Sequence, residues 1–168
     1  MSRIQREIAQ RRPFRSTAQE ATIALLRTAS VVSRTIGRAL ESSGLSLAQY
    51  NALRIIRGAG AEGVATLAVR ERMIEEGTTI TRILDKLEAA GLIRRTRSQP
   101  DRRLVLCFAT PKGLRLLEQL DPKVNAADEA AMAGLGAERL RTLLDLLDEV
   151  RAANAVSGAP RAAGSAAV

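Results

Sequence analysis

Several residue types are scarce or missing in this sequence of 168 residues. There is no histidine, no tryptophan and only one cysteine, and aromatic residues make up 2% of the chain. Structural zinc sites use cysteine and histidine, and a disulfide needs two cysteines, so neither is expected within the chain. A glycine-rich phosphate loop is also missing. These absences argue against an enzyme, and we expect no cofactor.

Long apolar runs are missing as well. No stretch approaches the roughly 20 apolar residues that a helix needs to cross a bilayer. The basic N-terminal segment is not followed by the uninterrupted hydrophobic stretch of a secretion signal. We therefore expect a cytoplasmic protein with no membrane partner. Its length and its 46% of hydrophobic residues allow one sizeable core, and the abundance of alanine, leucine and arginine favours a mainly α fold.

Positive charge is abundant, and two segments carry it. The net charge is +8; residues 1–15 contain five arginines and one glutamate, and residues 94–103 contain five arginines and one aspartate. Concentrated cationic segments favour a phosphate-binding surface, although arginine could also serve as a general solubilising residue. Residues 1–15 hold little apolar surface, so we expect a flexible basic arm there.

A helix followed by a hairpin dominates the middle of the chain. Apolar residues at helical spacing predict an amphipathic helix, and these residues are Ile80, Ile83, Leu84 and Leu87. Thr78 or Thr79 can cap its start, and Gly91 can end it in a left-handed conformation. Two short apolar runs then flank the basic segment 94–103, which predicts a β-hairpin with a cationic tip. This order is typical of a winged helix-turn-helix, whose helix enters a major groove.

Helices are expected on both sides of this unit. A capping box at Ser46 and Gln49 begins one helix, and Thr110 followed by Pro111 begins another, which Pro122 is expected to kink. The other predicted elements are a long helix over about 16–41, a short extended piece at 64–66, a helix at 67–73 and a last helix at 137–153. The long first helix and the last helix carry apolar stripes wider than one core requires, which indicates a partner surface. Residues 154–168 are expected to be a disordered tail.

Four stretches together resemble the MarR (multiple-antibiotic-resistance regulator) family of transcription factors. They read LSLAQYNAL, TTITRILDKLEAAGLI, RRTRSQPDRRLVL and TPKGLRLL. The resemblance implies a winged helix-turn-helix domain over 16–153 that forms a homodimer, with dimerisation helices at about 16–41 and 111–153 and a DNA-binding part at about 46–110. The segment LAVRERMIEEGTT is longer than the family's usual spacing, which leaves the start of the recognition helix uncertain.

The resemblance also implies a set of residues that bind double-stranded DNA. In the family, the second arginine of the motif at Asp101 to Arg103, steadied by the acid, reaches into the minor groove; the alternative is a surface salt bridge. On the recognition helix we expect base or phosphate contacts, whose alternative is a merely solvated face, and we expect Asp85 to orient a neighbouring cation. The candidate residues are Thr78, Thr79, Thr81, Arg82, Lys86, Arg95, Arg97, Asp101, Arg102 and Arg103.

The resemblance therefore implies a DNA-binding transcriptional regulator, a ligand-responsive repressor that binds a palindromic operator as a homodimer. The alternative is an architectural winged-helix protein that coats DNA without sequence preference. In the family, ligand control is typical and the effector pocket lies between the dimerisation helices and the winged domain; the resemblance implies the same pocket here, although the sequence does not identify an effector. Tyr50 and Arg54 are candidates for residues near that pocket. For Tyr50, however, the favoured interpretation is a core tyrosine with its hydroxyl at the surface. Cys107 lies in an apolar strand pattern and is expected to be a packing residue.

Overall fold

The computed structural model describes residues 1–75, 79–99 and 101–157. The helices are α1 (Arg3–Glu7), α2 (Thr17–Leu40), α3 (Leu47–Gly58), α4 (Thr66–Glu71), α5 (Ile80–Ala89), α6 (Pro111–Met132) and α7 (Ala137–Ser157), and the strands are β1 (Val64–Ala65), β2 (Ile93–Arg97) and β3 (Val105–Ala109). The first of two compact units is Met1–Asp128, and the second begins at Glu129. The predicted class, mainly α with a small β-wing, is confirmed.

Helix α2 matches the predicted long helix and is only partly covered within its own unit. It begins at Ser16, whose hydroxyl accepts a hydrogen bond of 3.1 Å from the Gln19 amide, and this N-cap satisfies one of the free donors of the first turn. At the other end Leu40 is fully buried. Towards the middle, however, Leu25 and Val31 are exposed, and Leu26 exposes 65% of its surface. The apolar stripe is therefore covered only near its C-terminal end.

Helix α3 lies at the centre of the core. The predicted capping box is present: the Ser46 amide donates to Gln49 Oε1 at 2.9 Å, and the Gln49 amide donates to Ser46 Oγ at 3.2 Å. Leu53 and Ile56 are fully buried on this helix. The largest side chains that share this core come from α2, α5 and α6, and include Leu40, Leu84, Leu87, Leu117 and Leu120.

The three strands form one antiparallel sheet in the order β1-β3-β2. Val64 of β1 lies opposite Cys107 of β3, and on the other side Arg95 of β2 also lies opposite Cys107. The sheet is therefore the predicted hairpin with the short extended piece added along β3. Strand β2 forms an edge.

Helix α5 is the predicted recognition helix, and its apolar face is buried as expected. It ends in a Schellman motif, since the Leu92 amide donates to the Leu87 carbonyl at 2.9 Å and the Gly91 amide to the Glu88 carbonyl at 2.8 Å. Gly91 has φ +68°, the left-handed conformation that glycine adopts without a steric penalty. Thr79 occupies the N-cap position, but its side chain makes no capping hydrogen bond. Thr78, the other candidate cap, lies outside the described residues.

The start of α6 closes the end of α5. Thr110 Oγ1 lies 2.7 Å from the Gly91 carbonyl and accepts from the Gly113 amide at 3.1 Å, while the Thr110 amide donates to the Leu92 carbonyl at 3.0 Å. Lys112 Nζ donates to the Ala90 carbonyl at 2.8 Å. The predicted Thr-Pro start is thus confirmed. Helix α6 continues without interruption through Pro122 to Met132.

Two terminal segments differ from expectation. The arm at residues 1–15 contains α1, where Gln5 is buried and its Nε2 donates to the Arg12 carbonyl at 3.1 Å. Glu7 pairs with Arg27 of α2 at 2.9 Å. Polar contacts therefore hold this segment, which has few apolar residues, against α2. At the other end α7 continues to Ser157, past the predicted 153, and Asn154 Nδ2 donates to the Val150 carbonyl at 2.8 Å in this last part of the helix. The rest of the predicted tail, 158–168, lies outside the described residues.

Helix α4 is also shifted, to Thr66–Glu71 in place of the predicted 67–73. The Arg72 amide donates to the Val69 carbonyl and the Met73 amide to the Arg70 carbonyl, both at 3.2 Å. These i to i−3 bonds tighten the last turn and end the α-helix early. Across the described residues, no helix combines the length and apolarity required to span a membrane.

A substitution at Gly113 tests how closely the start of α6 packs against the end of α5. A Cβ at this position would lie 2.2 Å from the Leu92 carbonyl oxygen, so Gly113→Ala should reduce the free energy of unfolding by about 1–3 kcal/mol through overpacking. The matched control is Gly58→Ala at the end of α3, where a Cβ meets nothing within 4 Å. Urea denaturation of both variants checks the prediction, and equal stabilities would contradict it.

Candidate nucleic-acid interface

The outward face of α5 brings the helical candidates together. Thr79, Thr81, Arg82 and Lys86 are all exposed. Three of them, Thr79, Arg82 and Lys86, line a shallow cleft of about 200 Å³ between α5 and the start of α3. Arg82 and Lys86 are one turn apart, so their like charges repel each other and do not stabilise the helix. This face of α5 is therefore cationic and accessible, and the opposite face of the helix is apolar and buried.

The hairpin tip orients one arginine while leaving it exposed. Asp101 Oδ1 accepts from the Arg103 amide at 3.0 Å and from Arg103 Nε at 3.1 Å, and Oδ2 accepts from Nη2 at 3.2 Å. These hydrogen bonds from Arg103 lower the pKa of the Asp101 carboxyl below its usual value. The Arg103 side chain nevertheless remains 91% exposed. The acid steadies the guanidinium without covering it.

The arginines that flank the tip fall into two groups. Arg97 and Arg102 are exposed, and neither forms an ion pair within the described part of the chain. Arg94 and Arg95, which the sequence placed in the same cationic tip, lie on β2 and have partners. The Arg94 guanidinium carbon is 4.1 Å from the centre of the Phe108 ring. Arg94 is nevertheless exposed, so its contact with the ring leaves its charge accessible.

Arg95 has carboxylate partners on the recognition helix. Its Nη2 lies 2.6 Å from Asp85 Oδ1 and 2.6 Å from Glu88 Oε2. The sequence predicts that Arg95 contacts DNA and that Asp85 orients a neighbouring cation, and in the structure Arg95 is the cation that pairs with Asp85. Glu88 was missed, because the pairing depends on how β2 folds back over α5.

A second residue that sequence analysis missed is Arg70 of α4. It is exposed, and it lines a cleft of about 550 Å³ between α4, the start of α5 and the hairpin. Thr81, Arg95 and Arg103 line the same cleft. From the sequence, we expect α4 only to support the recognition helix. The one sequence feature that could have indicated Arg70 is its place directly after the apolar Val69 in this helix. This cleft joins the helical and hairpin candidates into one surface.

Tyr50 is a core residue with a polar anchor. It is buried, and its hydroxyl donates to Asp121 Oδ1 of α6 at 3.3 Å. Arg57 Nη1 donates to Asp121 Oδ2 at 2.6 Å and thereby lowers the pKa of Asp121, while burial raises the pKa of Tyr50. The Arg54 guanidinium carbon lies 5.7 Å from the centre of the Tyr50 ring. These contacts agree with the expected core position of Tyr50 and join α3 to α6.

A sequence model of the MarR family matches residues 45–105. That range runs from the residue before the α3 capping box to the first residue of β3, and it includes α5 and the hairpin tip. Among curated proteins, the HTH-type transcriptional regulator TtmR of Methylorubrum extorquens is 34% identical over 90 residues, which are 54% of this chain and 45% of TtmR. The alignment with TtmR thus spans less than half of that relative.

Two solved structures resemble the chain over most of its length. A MarR transcription factor from Planctomyces limnophilus is 35% identical, with a TM-score of 0.62, and the match covers 81% of this chain and 98% of that one. CouR from Rhodococcus jostii RHA1, solved with bound p-coumaroyl-CoA, is 26% identical, with a TM-score of 0.69, over 90% of this chain and 100% of CouR.

Cys107 provides a test of burial next to this surface. It is fully buried in β3, its Sγ lies 3.8 Å from Thr66 Oγ1, and burial raises the pKa of its thiol. Little reactive thiolate is therefore expected near neutral pH. The folded protein should react slowly with a thiol reagent such as DTNB and react fully in denaturant. Peroxide should affect DNA binding equally in the wild type and in Cys107→Ser; selective protection by the serine would contradict a packing role.

Proposed function

We propose that this chain, which belongs to the MarR family of transcriptional regulators, is a ligand-responsive repressor that binds a palindromic operator as a homodimer. The observation that carries the proposal is α5, which buries one face and exposes Thr81, Arg82 and Lys86 on the other. An α-helix fits the major groove, where each base pair presents a distinct pattern of donors and acceptors. The adjacent hairpin would follow the DNA backbone.

The residues of α5 have separate roles in this proposal. Arg82 is the candidate for base recognition, because a guanidinium can donate two hydrogen bonds to one guanine. Thr79 and Thr81 contact bases or phosphates, and Lys86 contacts a phosphate as a point charge. Thr78 belongs to the same group of candidates, although it lies outside the described residues.

The hairpin supplies contacts of a different kind. The exposed guanidinium of Arg103, held in direction by Asp101, suits a narrow minor groove, whose negative potential attracts arginine. Arg97 and Arg102 would contact neighbouring phosphates. Arg95, by contrast, has carboxylate partners within the chain. The hairpin would therefore add affinity and a preference for A·T-rich flanks more than it would read individual bases.

Uncovered apolar surface supports a homodimer. Of residues 137–155, for which the structure describes exposure, none is buried, and Leu144 of α7 exposes 59% of its surface. Helix α2 separately exposes Leu25, Leu26 and Val31. Contiguous apolar surface on a helix usually marks an interface. A two-fold dimer would place one recognition helix in each half of a palindrome.

Small-molecule control is supported by the solved relative CouR, whose structure contains p-coumaroyl-CoA. In this chain a cavity lies between α2, α3 and the residues after α4, and Ser33, Asn51 and Met73 are among its lining residues. Its volume is about 50 Å³, whereas ligand sites usually occupy roughly 300 Å³ or more. A ligand at this position would therefore have to open the cavity, and such an opening would separate α3 from α2.

Selection of bound sequences from a random pool of duplex DNA tests the function. A palindromic motif with half-sites about one helical turn, roughly 10 base pairs, apart supports the operator proposal. Enrichment of no motif, together with similar affinity for all duplexes, would instead support DNA coating. Both measurements need a fixed salt concentration, since phosphate contacts make affinity strongly salt-dependent.

Arg82 and Arg103 should make different contributions to affinity. Arg82→Ala should cost about 1–3 kcal/mol per half-site on the selected operator and relax preference at one base position, with a smaller effect on random DNA. Arg103→Ala should weaken operator and random DNA together and reduce the slope of log K against log salt by about one per contact. Fluorescence anisotropy titrations at several salt concentrations measure both. The assignment fails if Arg82→Ala weakens every sequence equally.

The dimer is tested on α7. Leu144→Glu places a charge on its apolar stripe and should shift the protein towards monomer and weaken operator binding. Thr142→Glu introduces the same side chain on the opposite side of the helix and should leave the dimer intact. Light scattering gives the mass of each variant, and deletion of residues 137–168 should likewise remove both dimer and operator binding. A truncated protein that stays dimeric would exclude α7 as the interface.

A further inference from the structure

We infer that Arg95 is a positioning residue, which holds the hairpin on the recognition helix through Asp85 and Glu88 so that both elements meet DNA as one body. The inference rests on the proposed function, because it concerns how the DNA-contacting elements are arranged. It replaces the direct DNA contact that the sequence assigned to Arg95.

The contacts of Arg95 attach both its side chain and its backbone to α5. The Arg95 amide donates to Glu88 Oε1 at 2.9 Å. Its guanidinium donates to Glu88 Oε2 from Nε at 2.8 Å and from Nη2 at 2.6 Å. One carboxylate therefore binds a strand at two points, which fixes the position and the direction of that strand.

The sheet register shows that Arg95 faces the core side of the hairpin. Residues directly opposite each other on antiparallel strands point to the same face, and Arg95 lies opposite the fully buried Cys107. Ile93, two residues earlier on the same face, is also buried. The Arg95 side chain is only 24% exposed. A guanidinium at such a position needs carboxylate partners, since burying an unpaired charge is costly.

The backbone amide of Arg95 gives a second reason to assign a positioning role to this residue. Strand β2 is at the edge of the sheet, and the Arg95 amide donates to Glu88 of α5 instead of to a neighbouring strand. Edge strands normally leave such donors to solvent or to another chain. Glu88 thus joins the edge of the sheet to the recognition helix, and the hairpin cannot shift along α5 without breaking this bond.

The charges within the cluster separate this role from a phosphate contact. Asp85 and Glu88 carry two negative charges, and Arg95 carries one positive charge. The cluster as a whole does not attract phosphates. If its carboxylates had no positioning role, removing their charges would strengthen DNA binding; if they hold the hairpin, the same change should weaken operator binding. The two readings predict opposite signs.

The test uses full-length protein and the selected operator. Asp85→Asn/Glu88→Gln should lower operator affinity about tenfold or more, because charge-assisted hydrogen bonds are the strong ones, while affinity for random duplex is unchanged or higher. Arg95→Lys keeps the positive charge but loses the planar guanidinium that donates to both carboxylates. It should lower operator affinity similarly without changing the slope of log K against log salt. The matched control, Arg102→Ala, should reduce that slope by about one.

Amide hydrogen exchange in the free protein gives a readout without DNA. The Arg95 amide should exchange faster in Arg95→Lys and in the double variant than in the wild type, and at the wild-type rate in Arg102→Ala. Unchanged exchange, or a double variant that binds the operator as tightly as the wild type, would each overturn the inference. A wild type without operator preference would refute the proposed function instead, and exchange would still decide the role of Arg95.

Discussion

Burial of the apolar face of α5 constrains the whole candidate interface. Ile80, Ile83, Leu84 and Leu87 pack into a core that α3, the sheet and α6 share. Because residues of a helix are fixed relative to one another, this burial forces Thr81, Arg82 and Lys86 outward. It also sets where the helix ends. Gly91 turns the chain there, and the hairpin that follows must return across the same helix.

The return of the hairpin gives its arginines different partners. The guanidinium of Arg95 donates to Asp85 and Glu88, whereas Arg94 lies over the ring of Phe108 and stays exposed. Within the described part of the chain, the side chain of Arg103 is hydrogen-bonded to Asp101 alone and stays exposed. Sequence gives these arginines equal standing, but the phosphate-binding capacity of a guanidinium depends on whether carboxylates already occupy its donors. Charge concentrated along the chain is therefore an incomplete guide to charge available for DNA.

Outside this interface, polar contacts join α6 to the end of α5 and to α3. Thr110 and Lys112 cap the end of α5, and Asp121 binds Arg57 and Tyr50 of α3. A movement of α6 would thus act on both helices that flank the candidate cleft of Arg82. The family and the relatives are transcriptional regulators, which agrees with the absence of enzyme chemistry that the sequence indicated.

The sequence by itself determined the helices other than α1, the hairpin and the outward face of α5. Their signals are local: apolar periodicity, the Ser46 and Gln49 capping box, Gly91, and the Thr110–Pro111 start each act over a few residues. The pairing of Arg95 with Asp85 and Glu88, the cleft position of Arg70 and the packing of α1 against α2 were decided only by tertiary structure. These contacts join residues that become neighbours when a strand or helix folds back, and side-chain distance then depends on packing, which no local pattern encodes.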